Sequence, residues 1–432
     1  MADVRPFAGI RYDKSVTGDL SRNLCPPFDV MTADQQLEFY ERSHHNVVRL
    51  EFGIEYKSDR VDDNRYTRAR STFNQWVADG ALVKDSIPAF YATRERFNFH
   101  GQEYVRIGLT CAVRVEDFKR GDVMPHEETR PAPKKDRLEL VRHTRANFSP
   151  LMVLYRDNGT IRTAITDILV NPPDAVASPA NMPDLELWIV SEPEIVSLIA
   201  VTLRDAQLYL ADGHHRYETA VTYRDEMLAK SERSGSAATG FRMMTLIEIT
   251  DPGLLLLGYH RVLAGASSLE AESLRDKLGS MFELQTLDIG SSSDQIRARR
   301  INDVLSMSKK DRMVMGIAGL SPQTIHIATA HEPYPKDDGL AASDYTVLQN
   351  DILLPKFGET RVPEVLNFEH DAAKALTAVR EGRAQVAFIM RAISLSSFEH
   401  IVSSGWRLPA KSTYFHPKLH TGTVIQDLDD NL

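Results

Sequence analysis

The stretch Gln207–Leu228, QLYLADGHHRYETAVTYRDEML, decides how this chain is read. Leu208-Tyr209-Leu210-Ala211 is a short apolar run of β character, Asp212-Gly213 is a turn signal, and His214-His215-Arg216 lead into a helical pattern. A strand, a tight turn and a helix start therefore follow one another, with the ionisable residues crowded at the turn. A helix N-terminus leaves backbone N–H groups without intrahelical partners and carries a partial positive charge, so it suits anions. Arg216, a planar cation, and two imidazoles make the turn a candidate phosphate cradle. Gly213 lets the backbone come close to a ligand. The competing structural reading is a common Asp-Gly turn in which Asp212 merely caps the helix.

Around this stretch the chain has 432 residues, 42% hydrophobic and 26% charged, the profile of a soluble globular protein. At roughly 100–200 residues per domain, two or three domains are expected. A net charge of −9 argues against a general nucleic-acid binder, whose footprint is basic, so no nucleic-acid partner is expected. Two cysteines, Cys25 and Cys111, build neither a disulfide scaffold nor a cysteine-rich zinc site, and they point to a reducing compartment. The N-terminus carries charges where a signal peptide has its apolar core, and no run approaches about 18 apolar residues. The expectation is a cytoplasmic protein without a membrane partner.

Helical spacing is expected from Thr32 to Arg42, with Thr32 as N-cap and Gln35 completing a capping box, and again from Asn64 to Gly80. Asn46–Phe52, Pro88–Thr93, Glu103–Val115, Leu151–Tyr155, Ile165–Val170 and Phe241–Ile249 read as strands. The polar run at 231–236 reads as a loop or flap, and helices and strands alternate from Ser268 onward.

A second informative stretch is Met124-Pro125-His126-Glu127-Glu128-Thr129-Arg130, followed by PAPKKDRLELVRHTRANFSP. For most of its charges a solvated helix face is the expectation. Glu127 is the exception: a carboxylate beside cationic side chains can accept a substrate proton while the cations hold an anionic substrate. The C-terminal run Leu408–Lys418, LPAKSTYFHPK, sets polar donors beside aromatics, with Lys411 as a candidate ligand contact.

From VRPFAGIRY through PPFDV, HEETRPAPKKDR, ADGHHRYETA and HRVL to KSTYFHPKL, the whole chain resembles the domain of unknown function 1015 family. More narrowly, PHE at 125–127 and DGHHR at 212–216 resemble the paired motifs of the ParB/sulfiredoxin fold, especially of its free-serine kinases. EGRAQVAFIMRA, a helix and PAKST also follow in the order of those kinases. The resemblance implies an α+β fold: a ParB/sulfiredoxin-like mixed-sheet catalytic core with elaborations over residues 1–265, and a C-terminal α/β domain over 266–432 that contributes to the site.

The implied activity is nucleotide-dependent phosphoryl transfer to the hydroxyl of a small metabolite such as free L-serine, with ATP or ADP as donor. Mg²⁺ is expected mainly through the nucleotide phosphates rather than in a protein-built metal site. Carried over by position, Glu127 is the catalytic carboxylate, and Asp212 and His214 share the catalytic turn. His126, Arg130, Gly213, His215, Arg216, Lys411, Ser412 and Thr413 lie on nucleotide or phosphate. Sulfiredoxin's reactive cysteine is replaced here by His214, so its reductase chemistry has no nucleophile. No Walker A or kinase glycine-loop pattern occurs. Two alternatives stay open: a ParB-like switch that binds CTP or ATP without small-molecule transfer, and a hydrolase whose metal is held by His126, Glu127, Asp212, His214 and His215. The acceptor, the donor and the oligomeric state are left open.

Overall fold

In a computed structural model, residues 2–129, 131–230, 237–288, 292–321, 324–334 and 343–432 are described; Arg130 and the polar run at 231–236 lie outside them. The described residues fall into two compact units. One comprises Met1–Pro125, Thr129–Leu255 and Pro417–Leu432, and the other comprises His126–Glu128 and Leu256–His416.

The first unit is built on a nine-stranded mixed sheet. Its strands are β1 (Val4–Arg5), β2 (Phe90–Phe99), β3 (Gln102–Arg114), β4 (Val123–Pro125), β5 (Leu151–Tyr155), β6 (Ala175–Ala177), β7 (Asp184–Val190), β8 (Leu208–Asp212) and β9 (Phe241–Glu248). The order is β4-β8-β5-β9-β3-β2-β7-β6, with β1 joined to β3. The pairs β4–β8 and β5–β9 are parallel and the rest antiparallel. All of Leu151–Tyr155 and Phe241–Glu248 is buried, as expected of central strands covered on both faces. Two helices matter for the site: α1 (Pro131–Thr144) and α2 (His214–Ala229). Leu151, Val153, Leu210, Tyr217 and Met244 belong to one core under α2.

The second unit carries a six-stranded, wholly antiparallel sheet. Its strands are β10 (His260–Leu263), β11 (Phe282–Leu287), β12 (Val314–Ala318), β13 (Ile325–Ala330), β14 (Leu366–Glu369) and β15 (Val386–Met390), in the order β11-β13-β12-β15-β10-β14. The fold is thus mixed α/β, and among the described residues no helix is long and apolar enough to cross a membrane.

The capping box at Thr32 forms: Gln35 N–H donates to Thr32 Oγ1 at 3.3 Å, and Thr32 N–H donates to Gln35 Oε1 at 3.0 Å. Two expected strands are helical instead. In Asn46–Phe52 the chain makes a helical turn, Val48–Glu51, because the Asn46 side chain accepts the Val48 N–H at 3.0 Å and donates to the Leu24 carbonyl at 3.1 Å. That competition from a local side-chain bond outweighs β-branched content. In Ile165–Val170 the residues instead end the helix Thr160–Ile168. Its first turn is satisfied by Asn158 and Asp157, which accept from Thr160 N–H and Arg162 N–H at 3.1 and 3.0 Å. Ile161 and Ile165, one turn apart, are buried together.

Candidate functional site

In the first unit, β8 pairs with β5 as far as Asp212, with a bulge between Leu210 and Asp212 shifting the register just before the turn. Gly213 sits at the N-cap of α2 with φ +96°, in the left-handed region. A Cβ there would lie 2.6 Å from Leu151 Cδ2 and 3.1 Å from Arg216 Nη2. Both the conformation and the packing therefore call for glycine. Since Gly213 is the N-cap, Asp212 stands one residue outside that position, and its carboxylate has other partners. It accepts from Arg216 Nη2 at 2.9 Å and is ion-paired with the Lys418 ammonium.

Arg216 is 5% exposed. Its Nη1 donates to Ser149 Oγ and to the Pro150 carbonyl, both at 2.9 Å, while Nη2 holds Asp212. The guanidinium thus ties the turn to the loop before β5. His214 is buried and His215 half-buried, in the first turn of α2. One turn on, Glu218 accepts from Thr129 Oγ1 at 2.8 Å and is ion-paired with Lys134.

In the second unit, the segment carrying Glu127 runs beside the C-terminal KST segment. Leu408 N–H donates to the His126 carbonyl at 2.7 Å, and Glu128 N–H to the Leu408 carbonyl at 3.3 Å. The chain then folds round the Glu127 carboxylate. Oε1 accepts from Ser412 N–H (2.9 Å), Thr413 N–H (2.8 Å) and Thr413 Oγ1 (2.8 Å), and Oε2 accepts from Lys411 N–H (3.0 Å). Three successive amides converging on one anion form a nest, which needs a left-handed residue; Lys411, at φ +62°, supplies it.

Ser412 Oγ donates to the Pro409 carbonyl at 2.6 Å, and Arg261 Nη1 donates to the Lys411 carbonyl at 2.6 Å. The Lys411 ammonium lies 5.2 Å from the Tyr259 ring centre, a cation–π distance. His126 is fully buried, its Nε2 2.6 Å from Thr413 Oγ1 and its ring edge-on to Phe398 at 4.8 Å.

The structure therefore gathers two groups: Asp212, Gly213, His214, His215 and Arg216 in one unit, and His126, Glu127, Lys411, Ser412 and Thr413 in the other. Arg130 lies outside the described residues. Lys418 was not expected; the sequence signal was its place in HPKL, directly after the KST segment. Arg137, in the run expected to be a solvated face, is 6% exposed. Its Nε donates to Asp136 at 2.7 Å, its Nη1 to the Glu51 carbonyl at 2.8 Å, and its guanidinium stacks on Phe28 at 3.9 Å. Among the described residues no three His, Cys, Asp or Glu side chains converge as a metal site would need.

A mixed-sheet α/β protein with a strand–glycine–helix turn and a nest-held glutamate is the class these features define. The family model described as protein of unknown function (DUF1015) matches residues 4–338, and the chain belongs to that family. No curated protein matches the chain. Among solved structures it is similar to a free serine kinase variant in complex with AMP, at 12% identity over 71% of this chain and 89% of that one, with a TM-score of 0.36. It is similar to a conserved hypothetical protein from Pyrococcus furiosus at 13% identity, over 72% of this chain and 94% of that one, with a TM-score of 0.35. It is also similar to SbnI from Staphylococcus aureus with a C-terminal truncation, at 12% identity over 72% and 85%, with a TM-score of 0.35.

Proposed function

We propose that this protein is a small-molecule kinase of ParB/sulfiredoxin-like fold, transferring a phosphoryl group from ATP or ADP to the hydroxyl of a free amino acid such as L-serine or a related metabolite. The observation that carries the reading is the held carboxylate of Glu127, fixed by backbone amides at 12% side-chain exposure. Phosphoryl transfer asks a protein for positioning and charge neutralisation more than for covalent chemistry. A carboxylate locked in one orientation serves as the base that receives the acceptor's proton.

In this reading the first turn of α2, with Gly213, His214 and His215, meets the phosphates. Asp212, Arg216 and Lys418 keep that turn in shape. The acceptor oxygen bonds to the terminal phosphorus, the bond from that phosphorus to the bridging oxygen breaks, and the nucleotide leaves one phosphate shorter. The acceptor's proton passes to Glu127. His126 and Thr413 steady that carboxylate, and Lys411 lends positive charge.

The donor set suits a Mg²⁺ carried in on the phosphates better than a protein-built centre, since both oxygens of Asp212 face cations. Bound there, Mg²⁺ would neutralise phosphate charge. The hydrolase alternative needs a convergence of three metal-ligating groups that the described residues do not supply. A nucleotide-binding switch is favoured by a different aspect of the same nest: a carboxylate already engaged by four donors can serve purely as architecture.

Glu127→Gln separates the two. The kinase reading expects nucleotide binding retained and phosphoryl transfer, measured with serine and a panel of hydroxy metabolites, reduced on the order of 10²-fold or more. Stoichiometric nucleotide binding by the unaltered protein, with no transfer to any acceptor, would favour the switch and overturn the kinase.

A further inference from the structure

Behind the DGHHR turn, wholly within the first unit, lies a small pocket that opens to solvent at its mouth. Three arginines line it, Arg137 on α1, Arg216 on α2 and Arg242 on β9, against one carboxylate, Glu51. All four are more than nine-tenths buried. Their partners divide unequally. Arg137 has Glu51 and Asp136, and Arg216 has Asp212. Arg242 has no carboxylate at ion-pair distance among the described residues; its Nη2 donates to the Ser149 carbonyl at 2.9 Å, and its buried Nε has no hydrogen-bond partner. Ser149 links the set, since its hydroxyl donates to Glu51 at 2.9 Å and accepts from Arg216.

A buried cation without a counter-ion, carrying an unsatisfied N–H, is disfavoured unless something else supplies the charge and the acceptor. Burial first, and then the fields of Arg216 and Arg137 against the weaker pull of Glu51, bring Arg242 down to about 9, so it is still a cation at neutral pH. Part of the lining is apolar, with Val141, Phe241 and Leu428.

We propose that this cavity binds an oxyanion, the carboxylate or phosphate of a small molecule with a short apolar part, through Arg242 and its neighbours. Guanidinium groups pair with such anions bidentately, and the apolar part of the lining takes the rest of the molecule. This site is separate from the one proposed for nucleotide and does not rest on the kinase reading. It involves the inward face of Arg216, whereas phosphates are assigned to the first turn of α2.

The test is thermal unfolding of the full chain titrated with inorganic phosphate, butanoate or chloride at matched ionic strength. A saturable rise in Tm, on the order of 5 °C at a hundredfold excess over the dissociation constant, is expected with at least one oxyanion and not with chloride. A larger rise with butanoate identifies a carboxylic acid site, and a rise with phosphate alone a phosphate site. Arg242→Gln should abolish the rise, and Glu127→Gln should keep it. Should Arg242→Gln not fold, Ala220→Leu, which fills the cavity with the charges in place, should abolish it instead. No saturable rise with either oxyanion, an equal rise with chloride, or a rise that survives these cavity variants overturns the proposal.

Discussion

Two carboxylates, one in each unit, are held in opposite ways. Asp212 is held by full charges, Arg216 at 2.9 Å and Lys418, and all three side chains are nearly buried at 14%, 4% and 8% exposure. Glu127 accepts from three backbone N–H groups and the Thr413 hydroxyl, with His126 Nε2 3.4 Å from Oε1. The difference is one of consequence. Removing a charge from a buried ion cluster strands the others, whereas removing one neutral donor from a nest leaves the remaining donors in place. The cationic arrangement makes the turn depend on every charge in it, and the amide arrangement sets the orientation of its carboxylate mainly through the backbone.

Asp212→Asn should have the largest effect on stability. With Arg216 and Lys418 left uncompensated, a loss of about 3–5 kcal/mol is expected in chemical denaturation. A loss below about 1 kcal/mol, the range of exposed ion pairs, would show that the cluster is solvated and break the comparison.

Glu95 repeats the charge-held arrangement at full burial and makes it readable by pH. Arg106 Nε donates to Glu95 at 2.8 Å, and His420 Nδ1 is 2.9 Å from the other carboxylate oxygen. Burial alone would push this carboxyl up, but the charge of Arg106, joined by His420, brings it down to about 2 from an ordinary 4.5. A depressed carboxyl contributes stability that is present above its unfolded value and lost as pH falls through its folded value. Roughly 3 kcal/mol should therefore disappear between pH 4.5 and 2. Glu95→Gln should flatten stability against pH in that window while lowering it at neutral pH. An unchanged slope would mean that the pair is not what acid breaks.

Much of the frame was legible because it is local. The strand–turn–helix at Leu208–Ala229 and the box at Thr32 follow from residues within a few positions of one another. The two misread segments show the limit: Asn46–Phe52 and Ile165–Val170 are rich in β-branched residues, but Asn46, Asp157 and Asn158 satisfy helical starts through side-chain bonds. For the site, the motifs were visible and their engagements were not. His126 meets Thr413 across 287 positions, and Asp212 meets Lys418 across 206. No periodicity reports a pairing of that range. Nor does a charge run reveal that one member, Arg137, faces inward onto Phe28 and Glu51.

The smallest expected effect sharpens the comparison from the side of the nest. Thr413→Val keeps the shape of the side chain and removes its hydroxyl, and with it one bond to Glu127 and one to His126. The Lys411, Ser412 and Thr413 amides still hold the carboxylate, so the nest should persist. A loss of about 1–3 kcal/mol is expected, less than for Asp212→Asn, with nucleotide affinity unchanged. Transfer, where it is measured, should fall less than in Glu127→Gln, because orientation by backbone donors survives the loss of one side-chain donor. A fall as deep as that of Glu127→Gln would mean that the hydroxyl, and not the nest, sets the carboxylate, and the backbone holding inferred for Glu127 would reduce to a single side-chain contact.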